Sequence, residues 1–280
     1  MLRTVIILAL SGLPFLANAD DCAFRADRSV DIDAGGLTGL KLDTGAGDLT
    51  VEGMPNLNRI EVRGKACASE QAALAGLQIE QRRDGASAIV ATRIPDQGSS
   101  WSLFGNHYAY IDVTVRMPAQ LALTLRDSSG DLEIGGVSGT VHLTDSSGDI
   151  RLHDLGGAVE ISDTSGDIRA DGIGGTITIL SDSSGDIDIA NVKGDAMVHQ
   201  DSSGDIDLAH VAGNARVDRD SSGDIGFRDI GKDASVGADG SGDIFADGVR
   251  GNFSVGAKSS HGGEIRQRNV SGKVSLPPEE

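Results

Sequence analysis

The chain has 280 residues, a formal net charge of −18 at pH 7 and only 3% aromatic residues. This acidic balance disfavours nucleic acids and anionic lipid surfaces as partners, because their own negative charge would repel the protein. After residue 19 the sequence has no second apolar stretch long enough to cross a bilayer. We therefore expect neither nucleic-acid binding nor membrane insertion.

Residues 1–19, MLRTVIILALSGLPFLANA, have the features of a secretory signal peptide. Arg3 precedes an apolar run, and Ala17 and Ala19 supply the small side chains of a cleavage site. The pattern predicts an exported protein, periplasmic or at the cell surface or extracellular, cleaved after Ala19. An uncleaved membrane anchor is the alternative, which the short apolar run and Pro14 disfavour.

The chain contains two cysteines, Cys22 and Cys67. In an exported protein two cysteines favour a disulfide. The bond would close a loop of about 45 residues and stabilise the fold by about 3 to 4 kcal/mol in the chain-entropy picture. A catalytic or metal-binding thiol is the alternative, and no histidine lies near enough in sequence to support it.

Residues 20–126 are predicted to form an irregular β section. Short segments of strand character occur at 31–33, 40–42, 49–51 and 60–62, which we interpret as early rungs, followed by LQIEQRR, SAIVATRI, YIDVTVRM and LALTLRD. One short helix is expected at about Ser69 to Leu77, with Ser69 as its N-cap. We interpret this section as a cap on the repeats that follow it.

Residues 96–110, DQGSSWSLFGNHYAY, are the most unusual segment outside the repeats. They hold four of the nine aromatic residues, which are the candidate ligand contacts Trp101, Phe104, Tyr108 and Tyr110. A polar, glycine-rich loop with aromatic side chains is typical of a contact surface for protein or glycan. The alternative is a lid that packs over the N-terminal coils. The contact hypothesis predicts that Trp101→Ala weakens binding without lowering the melting temperature.

A six-residue phrase recurs seven times in residues 127–257, in forms such as DSSGDI. Its second aspartate stands at positions 131, 149, 167, 186, 205, 224 and 243, with spacings of 18 or 19 residues. Such a period is typical of a solenoid, in which each repeat buries its apolar face by stacking on its neighbours.

Apolar residues recur at fixed offsets in each repeat, as at Ile150, Leu152, Leu155, Val159 and Ile161. The spacing of two within each pair indicates strands, and a helical period is absent. The sequence predicts an all-β fold, a single-stranded parallel β-solenoid with two short strands per coil and coils stacked at about 4.8 Å. We expect a right-handed coil from the general handedness of parallel crossovers.

The repeated phrase itself is typical of a tight turn. Aspartate at the first position and glycine at the fourth are preferred in type I turns. We expect Asp145 to accept the backbone N–H of Ser147, and Gly148 to adopt left-handed backbone geometry.

In-register stacking would align the aspartates in two columns. Neighbouring charges about 4.8 Å apart repel by about 0.9 kcal/mol in bulk water. The simpler interpretation is that each first aspartate satisfies its own turn and each second one is solvated. The alternative is that the columns bind Ca²⁺. The candidate ligands are Asp145, Asp149, Asp163, Asp167, Asp182, Asp186, Asp201, Asp205, Asp220 and Asp224.

Residues 258–280 change character and are interpreted as a C-terminal capping coil and tail. Basic residues replace acidic ones at Lys258, His261, Arg266, Arg268 and Lys273, before the sequence SLPPEE. A charged last coil would protect the open edge of the solenoid. Alternatively, these basic residues would dock on an acidic face of another molecule.

Catalysis is not indicated by the repeats, because an active site needs a unique convergence of groups. Asp43 begins DTGA, a phrase similar to the aspartic-protease signature, and Asp163 begins DTSG. Both are copies of the turn phrase, so the sequence gives little reason to pair them.

The passage YIDVTVRMPAQLALTLRDSSGDLEI, followed by repeated SGDI units in an exported chain, resembles the bacterial putative adhesin family. The resemblance covers about residues 30–276 and implies an envelope protein with β-helical repeats. We interpret the chain as a non-enzymatic, exported scaffold that binds an envelope or surface protein or glycan without a cofactor. A Ca²⁺-stabilised structural module and a polysaccharide-acting β-helix enzyme are the alternatives.

Overall fold

Two 12-stranded sheets enclose one continuous apolar core and form a parallel β-solenoid. The computed structural model describes residues 22–95, 107–259 and 262–278. The predicted all-β solenoid is therefore confirmed. None of the helices in these ranges is long and apolar enough to cross a membrane.

The N-terminal section contributes eight strands and one helix. Their bounds are β1 Phe24–Asp33, β2 Gly39–Asp43, β3 Leu49–Met54, β4 Arg59–Ala68, α1 Gln71–Gly76, β5 Gln78–Asp84, β6 Ser87–Arg93, β7 Ala109–Pro118 and β8 Ala122–Arg126. Strand β2 lies in parallel between β6 and β8, and β3 lies in parallel between β7 and β9 (Leu132–Gly135). The coil made by β2 and β3 is thus enclosed by strands that come later in the chain.

The first end of the solenoid is closed by antiparallel strands. Strand β1 pairs antiparallel with β4, β4 pairs antiparallel with β7, and β5 pairs antiparallel with β6. The prediction of parallel rungs is confirmed for 40–42 and 49–51 and is wrong for 31–33 and 60–62. The sequence pattern fails there because strand periodicity is the same in both pairing directions.

The short helix is present but is capped differently from the prediction. Its N-cap is Glu70, without a side-chain hydrogen bond to the helix. Ser69 instead uses its Oγ to accept the backbone N–H of Tyr108 at 3.2 Å. At the other end, the Arg28 guanidinium donates to the carbonyls of Leu74 at 3.0 Å and Leu77 at 2.7 Å. Tertiary contacts therefore position this helix more than its own caps do.

From β9 onward each coil adds one strand to each sheet. One sheet, called sheet A, continues with β11 Ile150–Leu155, β13 Ile168–Ile173, β15 Ile187–Val192, β17 Ile206–Val211, β19 Ile225–Ile230, β21 Ile244–Val249 and β23 Ile265–Arg268. Sheet B continues with β10 Val141–Thr144, β12 Val159–Ser162, β14 Ile177–Ser181, β16 Ala196–Val198, β18 Ala215–Asp220, β20 Ala234–Asp239, β22 Phe253–Lys258 and β24 Val274–Ser275.

The repeats stack in register, so that equivalent apolar residues form rows through the core. Ile150 pairs with Ile168, which pairs with Ile187, and all three are fully buried. Burial of one such side chain contributes about 1.5 to 3 kcal/mol. The predicted inward positions are therefore the core.

The change from 18 to 19 residues per coil is absorbed at one point in sheet B. The register between β12 and β14 shifts at Ile161/Ser162, so that Ser162 pairs with Ser181. The extra residue leaves Leu180 with 38% of its surface exposed. A local irregularity of this kind lets the following turn keep its position over the previous one.

The fourth residue of each turn phrase can only be glycine. Gly185 has φ of +126°, and a Cβ atom there would lie 2.0 Å from the carbonyl oxygen of Gly166 in the preceding coil. The same conflict recurs at Gly148, where the distance to the Gly130 oxygen is also 2.0 Å. The expected positive φ is present, and the close approach of successive coils adds a second requirement for glycine.

Substitution of one corner glycine should destabilise the whole solenoid. We expect Gly185→Ala to lower the free energy of unfolding by at least about 2 kcal/mol. Alanine is strained at this positive φ, and its methyl group would clash with the adjacent coil. Chemical denaturation followed by circular dichroism measures this change. Ser184→Ala, at the exposed neighbouring position, is the matched control and should change stability by less than about 0.5 kcal/mol. Equal stability of the two variants would contradict the stacking argument.

Candidate functional site

One column of polar side chains runs inside the solenoid, directly after the strands of sheet B. We call it the inner column; it contains Thr44, Asp127, Asp145, Asp163, Asp182, Asp201, Asp220, Asp239 and Lys258. The seven aspartates are the first aspartates of the repeated phrase, and each has between 1% and 5% of its surface exposed. They are therefore core residues, although the sequence pattern suggested turn residues.

Strand periodicity explains why these carboxyls point inward. Val141 and Leu143 are buried in β10, and Asp145 follows at the next position of the same parity. Side chains two residues apart on a strand share a face. This parity was available in the sequence and would have predicted burial of the first aspartate.

The hydrogen bonds of the inner column are incomplete. An Oδ1 atom accepts the next backbone N–H at Asp163 (2.6 Å) and Asp182 (2.7 Å), and Asp220 accepts that of Ser222 at 3.3 Å. Neither carboxyl oxygen of Asp145 or Asp201 has a hydrogen-bond partner. The expected hydrogen bond from the Ser147 N–H to Asp145 is therefore not formed, although its equivalent is present at Asp220.

Burial raises the pKa of these carboxyls far above that of an exposed aspartate. It raises the pKa of Asp145 and Asp201 to about 7, and that of Asp127, Asp182 and Asp220 to about 6. Neighbouring carboxyls in the column raise the pKa further, as Asp127 and Asp163 do for Asp145. A buried carboxyl that lacks a partner is more stable with its proton than without it.

The column ends in a different group on each side. Thr44 donates its hydroxyl to Asp127, and Lys258 donates its ammonium group to Asp239. The early phrase DTGAGDL has one more residue than the repeats, so Thr44 rather than Asp43 occupies the column. Lys258 replaces an aspartate at this position of the last coils, as the sequence indicates. Its side chain is only 7% exposed, so the alternative that it docks on another molecule is wrong.

The second aspartates form an outer column on the rim of sheet A. Each carboxylate accepts the backbone N–H of the equivalent residue one coil further on, at 2.7 to 3.3 Å. In spatial order the column is Asp48, Asp131, Asp149, Asp167, Asp186, Asp205, Asp224 and Asp243, and Asp112 of β7, which lies outside the phrase, extends it before Asp48. These side chains are more than solvated charges, because they connect successive coils.

Arginine side chains neutralise part of the outer column. Arg151 lies 2.8 Å from Asp149 and 3.1 Å from Asp131, and Arg169 lies 2.8 Å from Asp167. The backbone N–H of Asp186, together with Arg169, lowers the pKa of Asp167. The shift of the Asp167 pKa is therefore opposite to the shift that burial causes at Asp182 of the inner column.

The structure separates the two sets of candidate Ca²⁺ ligands. Asp145 is buried and Asp149 lies on the rim, where its carboxylate already accepts a backbone N–H. Across the described ranges, no group of three or more histidine, cysteine, aspartate or glutamate side chains could hold a metal ion. Calcium binding stays a prediction, which a melting temperature unaffected by millimolar Ca²⁺ and by chelator would contradict.

The outward face of sheet A carries rows of charged side chains and, among them, a shallow recess. Small residues, Ala190 and Ala209, stand side by side on β15 and β17 where neighbouring coils carry Asp171 and Arg228. We call this the alanine recess; its rim includes Arg169, Asp171, Asp188, Asp207 and Arg228. The recess breaks the repetition of the face and is its candidate binding position.

Ion pairs hold the rim of the alanine recess in place. Arg228 lies 3.0 Å from Asp207, and Arg169 lies 3.6 Å from Asp188. Burial, and next the charge of Asp207, raises the pKa of Asp188. Alternating carboxylates and guanidinium groups can form hydrogen bonds with a polar ligand of either charge.

The predicted aromatic contact residues fall partly within the structure. Trp101 and Phe104 lie outside the described residues. Tyr108 and Tyr110 are half-buried with ring centroids 6.2 Å apart, and the Tyr108 hydroxyl accepts the backbone N–H of Ala23 at 3.1 Å. Both tyrosines therefore lie among the N-terminal strands, and ligand contact by the segment stays a prediction.

Cys22 and Cys67 form a disulfide with a Cα–Cα distance of 5.7 Å. It joins the chain just before β1 to β4, opposite Tyr110 of β7.

The resemblance to a protease motif is not supported by the structure, because Asp43 is exposed and Asp163 is buried in the inner column. The two carboxyls therefore cannot share a substrate.

The inner column should give the protein an unusual dependence of stability on pH. Its folded-state pKa values of about 6 and about 7 exceed the ordinary value of 3.8, so the folded chain holds protons that the unfolded chain has released. The contribution to stability is complete below pH 4 and is lost as pH rises toward 7. The slope is about 1.4 kcal/mol per pH unit for each carboxyl in this window.

Denaturation of the wild type and of Asp201→Asn between pH 4 and 8 tests this linkage. The amide cannot titrate, so we expect the variant to lose stability less steeply than the wild type. Ser202→Ala in the same turn changes no titratable group and should keep the wild-type slope. Parallel curves for Asp201→Asn and wild type would contradict the assignment of raised pKa values to the inner column.

Solved structures match the chain at low sequence identity. A putative lipid binding protein from Parabacteroides distasonis has 16% identity and a TM-score of 0.49, with 91% of this chain and 98% of that chain covered. A putative adhesin from Bacteroides fragilis has 13% identity and a TM-score of 0.44 over the same shares. A putative adhesin from Parabacteroides distasonis has 14% identity and a TM-score of 0.42, with 90% and 97% covered.

No curated protein matches the sequence. A family model does match, over residues 20–174 and 76–276, which together span both the irregular N-terminal section and the stacked coils. The two sheets of the solenoid extend through the same residues. The chain belongs to the Toastrack DUF4097 family.

Proposed function

We propose that the protein is an exported, non-enzymatic binding scaffold of the bacterial cell envelope that binds its partner on the outward face of sheet A. The observation that carries the proposal is the alanine recess, where two small residues interrupt rows of charged side chains. A rigid parallel sheet presents these side chains at fixed spacing, which favours recognition of an extended partner.

The chemistry of the recess favours a protein partner over a glycan. Its rim consists of paired carboxylates and guanidinium groups, such as Asp207 with Arg228. Glycan sites commonly use aromatic rings, and none lines this recess. A protein segment with alternating charges would complement it, and such polar contacts chiefly determine specificity and association rate.

The same geometry argues against a polysaccharide hydrolase or lyase site at this position. The recess is open on the sheet surface. Asp188 and Asp207 pair with arginine, and Asp171 accepts a hydrogen bond from the Asn191 side chain. A polysaccharide-acting site would need a carboxyl free to transfer a proton to the sugar. Incubation with envelope polysaccharides, followed by measurement of new reducing or unsaturated ends, tests this alternative.

Two features support an exported protein. Residues 1–19 have the pattern of a signal peptide, and the chain contains a disulfide between Cys22 and Cys67. Disulfides persist in oxidising compartments such as the periplasm and the cell exterior. Fractionation of cells that express the full chain, with detection of the mature protein, tests the location.

Filling the recess should abolish partner binding while leaving the fold intact. We expect Ala209→Arg to reduce capture of envelope proteins at least 10-fold, because the new side chain occupies the space between Asp171 and Arg228. The purified full-length protein is immobilised, exposed to solubilised envelope proteins, and the captured proteins are measured by mass spectrometry. Both the variant and the wild type should melt at the same temperature.

Thr178→Arg is the matched control, since it adds the same side chain at an outward position of β14 on sheet B. It should capture the same proteins as the wild type. Equal capture by Ala209→Arg and Thr178→Arg would contradict binding at the alanine recess. Capture of envelope glycans alone would contradict the preference for a protein partner.

A further inference from the structure

The C-terminal end of the inner column holds a lysine and an aspartate in contact, away from water. Asp239 and Lys258 are register partners on the adjacent parallel strands β20 and β22. The Asp239 side chain is fully buried and the Lys258 side chain is 7% exposed. The lysine Nζ contacts the Asp239 carboxyl and also donates to the carbonyl oxygen of Gly242 at 2.5 Å.

This burial distinguishes Lys258 from the other cations of the last two coils. Arg266 pairs with Asp243 of the outer column, Arg268 pairs with Asp247 of β21, and their side chains are 58% and 66% exposed. Burying a separated ammonium and carboxylate costs several kcal/mol for each ion. Transfer of one proton from nitrogen to oxygen removes both charges and leaves a free amine against a carboxylic acid.

A second carboxyl lies next to this pair. Asp220 is the register partner of Asp239 on the other side, on β18. Its Oδ2 atom is buried and has no hydrogen-bond partner. Burial, followed by the charge of Asp239, raises the pKa of Asp220 to about 6, so it can both take up and release a proton near neutrality.

We propose that Lys258 and Asp239 join in an intramolecular isopeptide bond, with Asp220 relaying the proton. The Nζ lone pair attacks Cγ of the protonated Asp239 carboxyl, and a C–N bond forms. One proton leaves the nitrogen through Asp220 and is delivered to the departing hydroxyl. The C–O bond breaks and one water molecule is released, so the reaction needs no oxidant or cofactor.

The position gives such a bond a clear structural effect. Nothing among the described residues covers β23 and β24, where Ile265 and Val274 are only half-buried. The isopeptide bond would tie β22 to β20 and prevent the terminal coils from separating. The inference is independent of the partner proposed above, because it requires no ligand.

Mass spectrometry of the purified, disulfide-reduced wild-type protein tests the proposal directly. We expect the intact mass to be lower than the sequence mass by one water molecule. Proteolysis should yield a branched peptide in which residue 258 is linked to residue 239. A full sequence mass in folded protein, after prolonged incubation at neutral pH, would overturn the proposal.

Substitutions of lysine distinguish the isopeptide bond from a succinimide at Asp239 and Gly240. Formation of either product lowers the mass by one water molecule. Lys258→Arg should restore the full mass, because guanidinium is a poor nucleophile. A water loss that persists in this variant would overturn the proposal. Lys232→Arg, which changes an exposed lysine, is the matched control and should keep the loss.

Two further variants test the chemistry of the bond. Asp239→Asn should still react, with loss of ammonia instead of water, because the amide carbon remains open to attack. Asp220→Asn should slow bond formation about 100-fold while the folded state, judged by circular dichroism, persists. Unchanged kinetics in folded Asp220→Asn would remove Asp220 from the mechanism.

Discussion

Direct stacking of one turn on the next is the constraint on which the rest of the structure depends. At each corner the glycine of one coil approaches the carbonyl of the previous glycine so closely that a Cβ atom has no space. This contact fixes the register of both sheets, because the turn precedes each strand of sheet A at the same distance. Rows of identical side chains, apolar or acidic, follow directly from that register.

The rows of aspartate show how one residue type acquires two roles from two positions. Inside the solenoid, burial raises the pKa of carboxyls such as Asp145 and Asp201 and so favours their protonated form. On the rim, carboxylates accept backbone N–H groups from the next coil and pair with arginine. Buried carboxyls such as Asp145 therefore stabilise the fold most at low pH, whereas a rim carboxylate such as Asp167 stabilises it most at higher pH.

Much of this architecture was predictable from the sequence, because a spacing of apolar residues that recurs in seven repeats assigns strands more reliably than the same spacing in a single segment. Two strands per coil and the apolar rows follow from period-two spacing repeated seven times. Burial of the first aspartates does not follow from the sequence alone, because turn preference and strand parity make opposite predictions for a residue such as Asp145. The antiparallel pairing of β1 and β4 could not be deduced, since pairing direction depends on contacts distant in sequence. Likewise, the alanine recess is visible only when Ala190 and Ala209 are placed side by side.

The order of the N-terminal strands has a consequence for how the chain matures. Strands β2 and β3 receive their neighbours on one side from β6 and β7 and on the other from β8 and β9. Synthesis begins at the N-terminus, so β2 has no parallel neighbour until β6 (Ser87–Arg93) is made, and the coil is not enclosed on both sides until β9 (Leu132–Gly135) follows. The coil of β2 and β3 therefore completes its pairing late, although its residues lie early in the sequence.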